Sequence, residues 1–232
     1  MKRLLIVLAL MLLMGQAWGT VTKYVIVDSD DLTGRLQTAD LVYFTARGMT
    51  EAETANAGIT GVVGQAFTAS EYCTYRTIYR FDTSSLSDTD TIDSVRVKIV
   101  IDTDNSETNF WVFLCAVQDT VNAAYFNAGL FNRFEGWATG SSVYTPTIIS
   151  DSTTTLGVTA GDTLSFFFNA AGIAEINKTG TTQFYILSNR DTGAVTSADH
   201  EDLLTQDDSP YMEVFYDDGE TPVAKHGSYI FP

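Results

Sequence analysis

Oxygen ligands dominate the chemistry open to this chain. It carries 29 Asp and Glu against 13 Lys and Arg, with two His and two Cys, for a formal charge of −16 over 232 residues. Calcium, a hard cation, takes carboxylate, amide and carbonyl oxygens. The run Asp102-Thr103-Asp104-Asn105-Ser106-Glu107 places Asp102, Asp104, Asn105 and Glu107 in one polar turn. Asp28, Asp30 and Asp31 form a second acidic group and Asp207-Asp208 a third. None follows an EF-hand spacing, so each reads either as a structural calcium site or as a solvated turn. Calcium is the one cofactor the sequence brings forward. Catalysis has less to stand on. His-Glu-x-x-His and Gly-x-Ser-x-Gly are absent from the sequence, so neither a zinc protease nor a nucleophile elbow is marked. Asp199-His200-Glu201-Asp202 reads either as a stretch that holds a metal or orients the imidazole or, more simply, as a hydrated loop. A glycosidase needs two carboxyls at a set separation across a sugar, and no spacing selects such a pair. The expectation is a non-enzyme with no catalytic residues.

Aromatic side chains offer a different chemistry. Sugar C–H faces stack on rings while hydroxyls seek polar partners. Phe134, Trp137 and Tyr144 lie in a Gly- and Ser-rich segment and form the candidate carbohydrate platform. The alternative is that Trp137 belongs to the core. Cys73 and Cys115 fall in two strand-like segments at matching parity. They are either a disulfide, closing a loop of about 40 residues for roughly 3–4 kcal/mol, or two buried thiols acting as small hydrophobes.

These residues must be positioned by strands. Val95, Val97, Ile99 and Ile101 share one parity, with Arg96 and Lys98 on the other, which is the period of a half-buried strand. Cys73, Tyr75, Thr77, Tyr79 and Phe81 repeat it, as do Trp111, Phe113, Cys115 and Val117, and Leu164, Phe166 and Phe168. Phe184–Leu187 and Met212–Tyr216 add short strands; Tyr24–Val27, Leu41–Thr45 and Val143–Ile149 are weaker ones. Helix is scarce, the best stretch being Ala170–Lys178 with Gly180 as a stop. About ten closely spaced strands predict an all-β, antiparallel, jelly-roll-like β-sandwich with one short helix.

The ends read differently. Residues 1–19 combine Lys2 and Arg3, an apolar run from Leu4 to Met14, and small residues at Ala17 and Gly19. That order is a secretory signal peptide, with an apolar run too short for a bilayer span. Residues 20–37 then form an N-terminal extension, 38–217 the sandwich and 218–232 a tail. The acidic balance disfavours nucleic acid and anionic lipid, and no membrane insertion is expected after cleavage. The expected location is secreted or at the extracellular cell surface.

Three stretches, taken together, carry a family likeness. They are Tyr79-Arg80-Phe81-Asp82-Thr83-Ser84-Ser85-Leu86, Phe134-Glu135-Gly136-Trp137, and Ala171–Gly180 coupled to Ser209-Pro210-Tyr211-Met212-Glu213-Val214. Their order and spacing, over about residues 38–217, resemble the DNRLRE family of extracellular domains. That resemblance implies a jelly-roll sandwich similar to carbohydrate-binding modules. The family's name motif is partly kept: Ser188-Asn189-Arg190-Asp191 has Arg-Asp where Arg-Glu is usual. Two roles follow as expectations. One is a structural or adhesive surface protein, a subunit that self-assembles into a homopolymeric filament or matrix by strand addition through Val21, Tyr24, Val25, Ile26 and Val27, with Tyr229–Phe231 as a second candidate strand; the alternative is that Val21–Val27 pairs within its own domain. The other is a module that binds extracellular polysaccharide.

Overall fold

The computed structural model describes residues 23–28, 34–49, 51–57, 60–118, 131, 133–136, 145–192, 202–206 and 210–217. In chain order the elements are β1 (Lys23–Asp28), β2 (Gly34–Asp40), α1 (Tyr43–Gly48), β3 (Thr54–Ala57), β4 (Val62–Thr68), β5 (Glu71–Asp82), β6 (Thr91–Asp104), β7 (Trp111–Ala116), β8 (Ile148–Thr154), β9 (Thr163–Phe167), α2 (Ala170–Ala174), β10 (Thr181–Ser188), α3 (Asn189–Thr192), β11 (Asp202–Gln206) and β12 (Tyr211–Asp217). The chain is all-β, as its alternation predicts, and every strand pairing is antiparallel.

Two layers share one long strand. β6 pairs with β12 from Thr91 to Lys98 and with β11 at its end, while β9 takes its other edge. From β11 the sheet continues through β4, β5, β10 and β7 to β8. A bridge between Ser150 of β8 and Phe168, just past β9, almost closes the ring. The main core fills the interior: Val95, Val97, Ile99 and Ile101 of β6, Leu164 and Phe166 of β9, Met212 and Val214 of β12, facing Tyr79 and Phe81 of β5 and Phe184 and Ile186 of β10. The expected parities of β6 and β9 are those observed.

Two parities differ. On β7 the residues facing the main core are Val112, Leu114 and Ala116, whereas Phe113 and Cys115 face away into a second cluster with Leu36, Ile78, Tyr185 and Leu187. On β5, Arg76, Ile78 and Arg80 are buried like their neighbours of the other parity. The cause is a cover laid over the outer face of β5, β10 and β7, to which Ala52, Phe131 and Phe134 contribute. A sheet buried on both faces loses the alternation that separates inside from outside.

Local chemistry sets the turns and ends. Asn169 caps α2, its side chain accepting from Gly172 N at 3.0 Å, and this helix is a single turn rather than the stretch to Lys178. Leu41–Thr45, expected as strand, instead leads into α1, where the Asp40 carboxylate accepts from Val42 N at 2.7 Å and turns the chain. Asp82 accepts from Ser84 N at 3.0 Å and turns the chain, and Leu86 is buried in the main core. Gly64 adopts φ +124°, and a Cβ there would run into the Asp202 carbonyl of β11. The expected boundary between residues 37 and 38 falls inside β2, which pairs along β5, and β1 pairs along β12. Residues 1–22 and 218–232, which hold the expected signal peptide and tail, lie outside the described residues.

Candidate functional site

A buried polar network sits at the end of the sandwich where β5 begins and β10 finishes. Arg76, fully buried, gives Nε and Nη2 to the Asp191 carboxylate at 2.5 and 2.8 Å. Its remaining donors reach the Phe131 carbonyl at 2.7 Å and the Arg47 carbonyl at 2.9 Å. The guanidinium carbon lies 3.8 Å from the Phe131 ring centroid and 5.0 Å from that of Phe134. One side chain thus ties α1, α3 and the Phe131 segment to β5. Beside it, Arg190 forms an ion pair with Asp202 at 2.9 Å, and Asp202 also accepts from Thr108 N and Oγ1. The Tyr43 hydroxyl donates to the Arg190 carbonyl. Burial, aided by the Asp191 charge, pushes that phenol up to about 12, so it remains a donor at neutral pH.

The alternation of β5 conceals this network, because it puts Arg76 and Arg80 on the solvent side. Two signals in the sequence point the other way. Ile78 lies on the same parity as the arginines, and Asn189-Arg190-Asp191 stands out as a motif. Each residue of that motif holds a neighbour in place. Asn189 Oδ1 accepts from Trp111 N at 2.9 Å, Arg190 holds Asp202, and Asp191 holds Arg76.

The sequence-expected sites fare differently. Among the described residues no group of three or more His, Cys, Asp and Glu converges to hold a metal ion. Asp102, Asp104, Asn105 and Glu107, the residues of the calcium reading, form no such group. Asp104 folds back to accept from Ser106 N at 3.0 Å and from its hydroxyl, Asn105 N donates to the Leu203 carbonyl at 2.9 Å, and Asp102 accepts from the Thr103 hydroxyl at 3.2 Å. Side chains and backbone of the turn itself take up the Asp102 and Asp104 carboxylates. Phe134 has no exposed surface and stacks edge-on to Tyr185 at 5.8 Å, so it belongs to the second core and not to a sugar platform. Trp137 and Tyr144 lie outside the described residues, as do Asp30, Asp31, Asp207, Asp208, Val21 and Tyr229–Phe231.

Cys73 and Cys115 are both buried and free. Register explains why they do not meet. Cys115 lies opposite Tyr185, and Tyr185 opposite Ile78, so the cysteines stand two strands and five positions apart. That is roughly 10 Å across the sheet and about 17 Å along it, far beyond the Cα separation of about 7 Å that a disulfide tolerates. Burial pushes the Cys115 thiol up, which leaves it an inert core group.

The outer face of the β12–β6–β9 layer carries a smaller cluster. Glu213 on β12 stands opposite Arg96 on β6, accepts from its Nε at 2.6 Å and pairs with Lys98 Nζ at 3.0 Å. Arg96 lies over the Phe167 ring at 5.5 Å and Lys98 over Tyr211 at 5.4 Å.

What fold and geometry define is a class: a jelly-roll-like, all-β sandwich whose buried polar groups fix loops in place. No family model matches the chain, and no curated protein matches it. Among solved structures, one of the infectious bursal disease virus Gx strain is similar at a TM-score of 0.22 and 10% identity, over 88% of this chain and 58% of that one. The chain therefore spans less than two thirds of that neighbour's length, and a likeness at this score carries no argument.

Proposed function

We propose that this chain is a secreted, non-catalytic surface protein with a structural or adhesive role, built to join copies of itself through strand addition. The observation that supports the reading is the position of β1. It stands last in the strand path, held by β12 along one edge over six residues from Lys23↔Tyr216 to Asp28↔Tyr211. Among the described residues no strand pairs with its other edge. An unpaired edge is a template for a strand of another chain, and a strand held on one side is the one a neighbour can supply most easily. The resemblance to DNRLRE-type domains and the leader-like residues 1–19 fit the same reading. The polysaccharide role has lost Phe134 to the core and keeps only Trp137 and Tyr144 of its three residues.

Sedimentation and negative-stain microscopy of the purified protein test the proposal. Polymers that dissolve into monomers when residues 20–28 are deleted support it. A monomer at every concentration, unchanged by that deletion, overturns it.

A further inference from the structure

Seven large apolar side chains are exposed among the described residues, and five of them gather at one end: Leu41, Val42, Phe44, Trp111 and Leu156. Strand register puts them there. β2 ends at Asp40, opposite Tyr72 at the start of β5, so Leu41–Phe44 emerge at that end. β10 runs against β5 and β7 against β10, which brings Trp111, first in β7, back to the same end. Thr154 lies opposite Trp111, and Leu156 follows two residues on. α3 stands between the two groups, touching one through Tyr43 and Arg190 and the other through Asn189 and Trp111.

This surface is already in place. Leu41 and Leu156 are 71% and 68% exposed, yet α1 is anchored beneath by buried Tyr43, Ala46 and Arg47, whose carbonyl Arg76 holds. A rigid apolar surface loses little entropy on binding. A cluster of this kind on a folded chain marks an interaction site rather than scatter.

Charge selects the partner. Among the described residues the carboxylates beside α1 are Asp40 and Glu71, while the nearby cations are spent: Arg47 is buried and Arg190 is paired with Asp202. A second copy docked through this same end would set one acidic rim against another, which like-charge repulsion disfavours. We propose that the α1–Trp111 end docks a polypeptide partner whose apolar face is flanked by Lys and Arg. This goes beyond the strand-addition reading and does not depend on it, since β1 takes no part.

The probe is a fluorescent amphipathic peptide of Leu and Lys, titrated by anisotropy against the full chain, with a Leu–Glu peptide of the same pattern as control. Leu41→Ser with Phe44→Ser, and separately Trp111→Ser, should each weaken Leu–Lys binding by about tenfold, the scale of one interface anchor. Phe167→Ser, exposed on another face, should leave it within about twofold. Equal binding by all variants would mean that bulk charge alone attracts the peptide, and would overturn the proposal. So would equal binding of the Leu–Glu peptide, or partition into phosphatidylcholine vesicles without peptide binding. Thermal melts of each variant separate loss of binding from loss of fold.

Discussion

Arg76 joins β5 to three separate parts of the molecule. Its charge is neutralised by Asp191, its donors are taken by two loop carbonyls, and its flat face rests on Phe131. Removing one partner of a buried pair leaves the other charge uncompensated, at about 3–5 kcal/mol, whereas replacing both by apolar groups is often neutral. Arg76→Met should therefore lower stability by about 3–5 kcal/mol in urea unfolding, and adding Asp191→Leu should recover most of it. Glu213 gives a residue-scale pH dependence. Burial alone would raise its carboxyl, but bonds from Arg96 and Lys98 outweigh that and hold it below its ordinary value of 4.5. A folded-state value below the unfolded one means a contribution present in full above about 4.5 and lost as pH falls through the lower value. Acid titration of stability should accordingly show a shallower loss in Glu213→Gln than in the parent. Residue roles are legible in the sequence where a side chain has one job. Val97 and Phe166 read correctly, as core residues. Phe134 and Arg76 do not, because burial under a cover leaves no mark in the strand's own period.

Elements are legible where one sheet face meets water. β6 and β9 alternate cleanly, because Arg96 and Lys98 on β6 and Ser165 and Phe167 on β9 occupy the outer side. β5 and β7 mislead, since period two cannot say which of two buried faces meets the main core. α1 reads as strand because Leu41, Val42 and Phe44 look like buried apolar residues and are in fact exposed. The β4–β5 hairpin carries a feature no pattern reveals. Ala69 and Ser70, its two turn residues, both hold positive φ, 51° and 70°. Two residues in the left-handed region define the turn that Asn-Gly favours. Replacing Ala69 by Asn and Ser70 by Gly should raise stability by about 1 kcal/mol, read as a higher melting temperature. An unchanged or lower melting temperature would mean that the tip is held by contacts and not by its turn.

At the scale of the whole molecule the fold class is legible and the division of the chain is not. β1 and β2 read as an extension, yet both pair along the sandwich, to β12 and β5. The disulfide fails at this scale too: matching parity says that two residues share a face, and only strand order says how far apart they stand. Strand order is long-range information, absent from any local window. It also creates the feature on which the proposed role rests, an end strand joined by one edge. Val25 lies opposite Val214, so a chain carrying Val25→Cys and Val214→Cys reports whose β1 fills the place beside β12. Oxidised and run without reductant, the assembled protein should give a ladder of covalently linked copies that collapses to one band on reduction. A single monomer band, bridged within each chain at every concentration, would contradict assembly by strand addition.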